Sequence, residues 1–473
     1  MLKLTHINIE FGARTLLNID ELSIYDYDRI GFIGANGAGK STLLNMIAQH
    51  GDFQLMNQLT AESLADSQNF SLTGKLGVLN LETPKPSGGE LTRIKIANAF
   101  STTASGLLAD EPTSHLDQEG IDFLIAQFKK WNGPYLIVSH DRDFLDQTVD
   151  KIWELKNGSI TEYWGGYSDY EAQKQAEEQT QLETYQQAMA EKKRLETAAL
   201  EKVKQARQIE KKAKSGKKNT ESGGRLSHQK SMGSKQKKLH QAAKSLQNRA
   251  KELDDIETPN RLRTIRFHQN KALELHNPYP IMGENICKQV GDKVLFQNAD
   301  FSFPLGEKIA ITGPNGSGKS TLMSMILAKE PGISLSPKAK IGYFAQNSYQ
   351  FQTDSELLAY MNEDSDYHLS NIRAVLAAMG FGPGDLTKKI QQLSGGERVK
   401  LYLAKLLTGR YNILILDEPG NYLDIQALSA LETLIKNYQG TVLLITHDRK
   451  FREVVATMTF EIRDKKLVLI GTF

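Results

Sequence analysis

Residues 34–42 read Gly-Ala-Asn-Gly-Ala-Gly-Lys-Ser-Thr and residues 313–321 read Gly-Pro-Asn-Gly-Ser-Gly-Lys-Ser-Thr, two copies of one pattern suited to holding phosphate. Glycines in such a loop let the main chain approach an anion closely, and backbone N–H groups at the start of a helix point at its oxygens. Gly34, Asn36, Gly37 and Gly39 supply the first loop; Gly313, Asn315, Gly316 and Gly318 supply the second. Lys40 and Lys319 stand where an ammonium meets the β- and γ-phosphates of a nucleotide. The hydroxyls of Ser41 and Ser320, followed by Thr42 and Thr321, stand where Mg²⁺ is ligated.

Three further elements follow each loop in the same order. Ser-Gly-Gly-Glu tetrads occupy 87–90 and 394–397, and a serine and two glycines before a helix make a second anion cradle. Apolar runs then end in acidic pairs, Asp110 with Glu111 and Asp417 with Glu418. A buried strand ending this way delivers two carboxylates to one place. The aspartate can hold Mg²⁺ through water, and the glutamate can orient and polarise an attacking water. Short strands finally close in His140-Asp141 and His447-Asp448, where an imidazole can sense a γ-phosphate. A glycine-rich turn or a solvated acidic pair would explain one of these features alone. Neither explains the same ordered set written twice.

The elements that must position these groups are legible in outline. Strands at Ile30–Ile33 and Ile309–Ile311 run into the loops, and helices begin at Lys40 and Lys319. Near-continuous apolar stretches at Gly106–Ala109, Tyr135–Val138, Ile413–Leu416 and Thr441–Ile445 read as strands covered on both faces. Gly34 and Gly313 are 279 positions apart, whereas Ser87 and Ser394, Asp110 and Asp417, and His140 and His447 are each 307 apart. The first half is therefore 28 residues shorter between its loop and its tetrad.

Between the halves the chain turns rich in Gln, Glu, Lys and Ala. Two helical stretches, roughly 171–212 and 235–255, flank a Gly- and Ser-rich segment, and an antiparallel helical hairpin with its tip near 213–234 is the natural reading. From Lys202 to Lys251 there are 16 Lys and Arg against only Glu210 and Glu221, a charge of +14 in a chain whose net charge is +2. The remainder is acidic, so a polyanionic partner touched at one place is expected. The resulting boundaries are 1–168, 169–260 and 261–473. No stretch approaches the ~20 apolar residues of a membrane span, and the first residues lack the plan of a signal peptide. One cysteine, Cys287, excludes an internal disulfide framework and suits a reducing compartment, with the cytoplasm expected.

The full set of motifs resembles the ATP-binding cassette (ABC) superfamily across nearly all of both halves. The resemblance implies an α/β protein of two tandem ABC-type P-loop ATPase domains joined by a long α-helical hairpin linker. It further implies that the domains face head to tail within one monomer, each ATP lying between one P-loop and the other half's tetrad. One site would use Lys40, Asp110, Glu111 and His140 with Ser394, Gly395 and Gly396. The other would use Lys319, Asp417, Glu418 and His447 with Ser87, Gly88 and Gly89. Gln58 and Gln346 match the family's metal-contacting glutamine, and Phe11 its adenine-stacking aromatic, at whose second-half equivalent Val290 stands. Gly420 departs from the family's usual threonine after the proline.

Tandem ABC domains without a membrane segment, joined by a long charged helical pair, resemble the ABC-F translation factors. The short first half and the phrases at 25–49, 165–173 and 332–346 are similar to the antibiotic-resistance branch of the Msr and Vga type. That resemblance implies ATP and Mg²⁺ as cofactors and the ribosome as partner. The ATP-closed form would occupy the exit site, and the basic linker would contact rRNA and the P-site tRNA. A macrolide or streptogramin B is the favoured drug class. A housekeeping ABC-F factor and an ATP-binding subunit of an ABC transporter are the alternatives.

Overall fold

The computed structural model describes residues 2–11, 14–56, 100, 104–114, 116, 118–215, 225–253, 273–345, 351, 353–421 and 423–472. The chain divides into two compact units, Met1–Tyr170 with Leu262–Phe473, and Glu171–Arg261.

The first unit is built on two sheets of matching order. In the first half, β3 (Arg29–Gly34), β4 (Phe53–Met56), β5 (Gly106–Asp110), β6 (Tyr135–Val138), β7 (Lys151–Lys156) and β8 (Ser159–Trp164) lie in the order β4-β5-β6-β3-β7-β8. In the second, β11 (Lys308–Thr312), β13 (Ile341–Phe344), β14 (Ile413–Asp417), β15 (Thr441–Ile445), β16 (Met458–Arg463) and β17 (Lys466–Thr472) lie in the order β13-β14-β15-β11-β16-β17. Pairing is parallel except at β7–β8 and β16–β17. The central strands are apolar on both faces because helices cover both, and Ile30, Phe32, Leu107, Leu136, Ile309, Leu414 and Leu443 are completely buried. Antiparallel strands form a separate layer in each half. They are β1 (Leu2–Phe11) with β2 (Arg14–Ile24), and β9 (Ile281–Val290) with β10 (Lys293–Phe303) and β12 (Ile333–Leu335).

Among the described residues, the helices of the first half are α1 (Lys40–His50), α2 (Gln118–Lys130) and α3 (Arg142–Thr148). The hairpin helices are α4 (Tyr167–Ser215) and α5 (Arg225–Glu252). The second half has α6 (Lys319–Ala328), α7 (Leu357–Asn362), α8 (Leu369–Ala378), α9 (Gly395–Thr408), α10 (Ile425–Asn437) and α11 (Arg449–Val455). Asp141 caps α3 by accepting from Phe144 N at 3.0 Å, and Asp448 caps α11 by accepting from Phe451 N at 2.7 Å. The aspartates of the two His-Asp pairs are thus helix caps. They hold the turns on which the histidines sit.

The second unit corrects the expected tip. One helix runs to Ser215 and the next begins at Arg225, so residues 225–234, read as loop, are helical, and residues 216–224 lie outside the described residues. An isolated glycine such as Gly233 costs a helix only about 1 kcal/mol, too little to stop one otherwise rich in Lys, Gln and Leu. Among the described side chains of this unit the buried positions fall on alanines: Ala188, Ala199 and Ala206 on α4, Ala243 and Ala250 on α5. Ala199 and Ala206, like Ala243 and Ala250, are seven residues apart, the repeat that keeps one seam facing a neighbouring helix.

Candidate nucleotide sites

The two P-loops have the same local geometry. Gly39 and Gly318 are the N-caps of α1 and α6 with φ of 108° and 107°, a backbone that an L side chain rarely adopts. A Cβ on Gly39 would also lie 2.6 Å from Leu16 Cδ2. Both lysines are buried and fold back over their own loops. Lys40 Nζ donates to Gly34 O at 2.8 Å and Ala35 O at 3.1 Å, and Lys319 Nζ to Gly313 O and Pro314 O at the same distances. Burial holds the Lys40 ammonium below its usual range, with Glu111, Asp424 and Asp110 pulling the other way.

The acidic pairs stand beside these lysines. Ser41 Oγ donates to Asp110 Oδ2 at 2.7 Å, and Ser320 hydrogen-bonds Asp417 in the second half. Parallel pairing continues one residue further through main-chain bonds, from Glu111 N to Val138 O at 2.8 Å and from Glu418 N to Ile445 O at 2.9 Å. Both glutamates have positive φ, 50° and 52°, although neither is glycine. Backbone held in this region marks a position where side-chain direction outweighs local comfort. Each carboxylate reaches its histidine: Glu111 Oε1 to His140 Nε2 and Glu418 Oε1 to His447 Nε2 are both 3.4 Å.

These contacts are not ion pairs near neutral pH in the first site. Burial drives the His140 imidazole down to about 3, so it is neutral. Burial, reinforced by Asp110, raises Glu111 to about 8, and burial with Asp417 does the same to Glu418. In each site one carboxyl stands beside a serine hydroxyl, and its neighbour in sequence is a buried glutamate raised by desolvation. That is the arrangement expected of a metal-holding acid beside a general base.

A divalent cation fits the donors present. A serine hydroxyl and a carboxylate meet at the foot of each P-loop, both hard oxygens. Among the described residues no group of three or more His, Cys, Asp or Glu is clustered for a metal. A Mg²⁺ held by one or two protein oxygens, with waters and phosphate oxygens completing its octahedron, matches that sparse set.

The first P-loop faces the second half of the chain. Asn36 N donates to Asp424 Oδ2 at 3.3 Å across the two halves. The same carboxylate oxygen accepts from Lys400 Nζ at 2.6 Å, and Asp424 Oδ1 caps α10 through Ala427 N at 2.9 Å. Burial opposes the charge on Asp424, yet Lys400 holds its carboxyl below the usual range. Lys400 lies on α9, whose N-cap is Ser394. Glu397 closes a capping box there, accepting from Ser394 N at 2.8 Å and Oγ at 2.6 Å. Ser394, Gly395 and Gly396 therefore start a helix whose next turn carries the cation that joins Asp424 at the first P-loop.

Other expected residues stand differently. Ser87, Gly88, Gly89, Gln58 and Gln346 lie outside the described residues. Phe11 ends β1, and Val290 ends β9 with about half its surface exposed. Sequence reasoning missed Asp424, Lys400 and the buried pair Arg142–Glu432, which joins α3 of the first half to α10 of the second. A signal was present for Asp424 alone, because Leu-Asp recurs 307 positions apart, at Leu116-Asp117 and Leu423-Asp424.

The comparisons with known proteins agree with this geometry. The ABC transporter family model matches residues 17–83 and 296–421. The erythromycin resistance ATP-binding protein MsrA of Staphylococcus epidermidis is 37% identical over 480 residues, covering 98% of each chain. The ribosome protection protein VmlR of Bacillus subtilis (strain 168) is 34% identical, covering 95% of this chain and 84% of that one. Among solved structures, an RNase-L inhibitor superposes with a TM-score of 0.63 at 17% identity, over 96% of this chain and 88% of that one, a likeness of fold. Paired ABC-type sheets, two P-loops and full-length similarity to MsrA lead to one assignment: the chain belongs to the ABC-F family of ATPases, in its antibiotic-resistance branch of the Msr and Vga type.

Proposed function

We propose that this protein hydrolyses ATP with Mg²⁺ at two interfacial sites and uses the cycle to bind, and then leave, the ribosome, which it protects from antibiotics. The observation that carries the reading is the bond from Asn36 N to Asp424, with Lys400 beside it, because it brings the second half's signature helix to the first P-loop. In this reading the P-loop backbones with Asn36, Thr42, Asn315 and Thr321 cradle the phosphates, and Lys40 and Lys319 neutralise them. Ser41 with Asp110, and Ser320 with Asp417, hold Mg²⁺, whose charge supports phosphoryl transfer. Glu111 and Glu418 take the proton of the attacking water, and His140, which is neutral, and His447, each 3.4 Å away, orient them. The tetrads Ser394–Gly396 and Ser87–Gly89 close each site from the opposite half. Gln58, Gln346 and Phe11 complete the metal and adenine contacts.

The basic hairpin is the ribosome-facing element, touching rRNA and P-site tRNA through phosphates, with the ATP-closed form in the exit site. Erythromycin in the name of the S. epidermidis relative favours macrolides, with streptogramin B beside them. The short stretch between the first P-loop and its tetrad and the long basic hairpin argue against a transporter subunit, and the cytoplasm is the proposed compartment. Two measurements test the proposal. The double variant Glu111→Gln, Glu418→Gln should stay with ribosomes through a sucrose cushion in ATP, and the gene should raise the inhibitory concentration of erythromycin in a susceptible host. Free exchange of the double variant would sink the hydrolysis-driven release. Unchanged susceptibility across a panel of ribosome-targeting drugs would favour a housekeeping factor instead.

A further inference from the structure

Beside the second P-loop lies a cavity of about 390 Å³, bounded by Gly313, Thr446 and His447 on the nucleotide side and by Arg452, Thr459 and Glu461 behind it. That volume is in the range of small-ligand sites, and the cavity opens at the carboxyl ends of parallel strands where α/β sheets receive ligands. The equivalent position in the first half is built from different side chains. The 307-residue offset places Leu145 where Arg452 stands and Ile152 where Thr459 stands, and the 279-residue offset places Ile33 at Thr312. Leu145, Ile152 and Ile33 are buried together with Tyr163, Tyr167 and Tyr170 in one hydrocarbon cluster. One half has filled this position with apolar side chains, and the other has lined it with a guanidinium and hydroxyls.

The polar groups there are unevenly matched. Thr459 is 3% exposed, and its Oγ1 has no hydrogen-bond partner among the described residues. A buried hydroxyl left this way costs about 1–3 kcal/mol, so its retention calls for an acceptor or donor from outside the chain. Thr446 Oγ1 accepts from Asp448 N at 3.1 Å, which leaves its own proton to give. Both carboxylates at the cavity are already matched, Glu453 by Arg449 at 2.9 Å and Glu461 by Arg463 at 2.6 Å. The guanidinium of Arg452, half-buried on α11, makes no hydrogen bond or ion pair among the described residues. Burial holds it below its usual range, a cost that an anion would offset.

We propose that this cavity is a binding site for one small tetrahedral oxyanion, inorganic phosphate being the fitting case, held by the Arg452 guanidinium and the hydroxyls of Thr446 and Thr459. Because Gly313, Lys319 and His447 border the same cavity, the anion has two sources to draw on: phosphate dissolved in the cytosol, or phosphate cleaved at the adjoining P-loop.

The test uses the full chain saturated with a non-hydrolysable ATP analogue, which fills both P-loops and makes the result independent of turnover and of ribosomes. Equilibrium dialysis with radiolabelled phosphate should find one phosphate per chain. Arg452→Leu, which installs the first half's residue, and the isosteric Thr459→Val should each bind it roughly tenfold more weakly. Thr459→Val carries the comparison if the leucine variant does not fold. No binding, displacement of phosphate by the analogue, or equal binding by the variants would overturn the proposal. In a second arm, the parent chain is mixed with γ-labelled ATP for one turnover and passed through a desalting column. Label retained by the parent and lost by Arg452→Leu identifies the cleaved phosphate as the source. Retention only of added phosphate identifies the dissolved pool.

Discussion

Arg142, immediately after the first His-Asp pair, donates from Nη2 to Glu432 Oε1 across the two halves, and both side chains are buried. Asp448, the second half's own helix cap, lies 3.9 Å from the same guanidinium. The halves are otherwise related by a repeat, but this contact has no counterpart among the described residues. Position 125, equivalent to Glu432, is isoleucine, and Arg449, equivalent to Arg142, pairs with Glu453 on its own helix. Removing one partner of a buried pair strands the other charge. Glu432→Ala should therefore cost about 3–5 kcal/mol, whereas Arg142→Leu with Glu432→Ile should return close to the parent. Urea midpoints of the nucleotide-free chains would decide it, and a double variant as weak as the single would contradict the pairing.

A pH dependence follows from the buried glutamates. Glu111 and Glu418 each stand at about 8 in the folded chain, above the carboxyl value of 4.5. The folded state thus binds more protons than the unfolded state between these values, and stability falls as pH rises through the window. The contribution is complete below about pH 4.5 and gone above about pH 8. Each glutamate gives up about 1.4 kcal/mol for every pH step of one inside that range. Glu111→Gln cannot ionise. In the absence of nucleotide and Mg²⁺ it should melt above the parent at about pH 9, and the gap should close near pH 5. Parallel melting curves across that range would refute the assignment.

Asp424 serves three donors at once: Asn36 N, Lys400 Nζ and Ala427 N. Asp424→Ala would leave the Lys400 ammonium without its carboxylate and remove one of the acids that favour the charged form of Lys40. Photolabelling with an azido-ATP, followed by peptide mapping, should show a several-fold loss at the first P-loop and little change at the second. Equal loss at both would mean that the residue supports the fold alone.

The basic hairpin makes its own forecast about salt. Lys202, Lys204, Lys237 and Lys244 belong to the +14 segment, and each Lys-to-phosphate contact adds about 0.7–0.9 to the slope of log affinity against log salt. Replacing all four by glutamine should flatten the slope for ribosome binding by up to about 3 and leave ATP hydrolysis by the free protein unchanged. Sedimentation at four ionic strengths would measure it. An unaltered slope would remove the hairpin from the interface.

The local chemistry was readable because it is local. A P-loop is nine consecutive residues, and an apolar run ending in Asp-Glu dictates a buried strand with carboxylates at its end, as β5 and β14 show. The hairpin's helices were legible from composition, but the onset of α5 at Arg225 was not, since propensity does not tell a single tolerated glycine from a turn. The bonds between halves were opaque for a different reason. Asn36 and Asp424 are 388 positions apart, and Arg142 and Glu432 are 290 apart, so each meets its partner through the docking of two finished sheets. Arg452 and Thr459 look like ordinary surface choices until the offset sets them against Leu145 and Ile152.

The left-handed backbone at Glu111 and Glu418 sets a ceiling on this protein's robustness. A non-glycine residue in that conformation carries roughly 1–3 kcal/mol of strain, and of the ten so held among the described residues these two also carry a carboxyl stripped of water. A laboratory selection for heat resistance alone would therefore be drawn to these two positions, where glycine or asparagine relaxes the backbone and no acid need be buried. Its winners would be hardier and unable to activate water. Two residues that combine a left-handed backbone with a buried acid are the ones a stability screen should be forbidden to change.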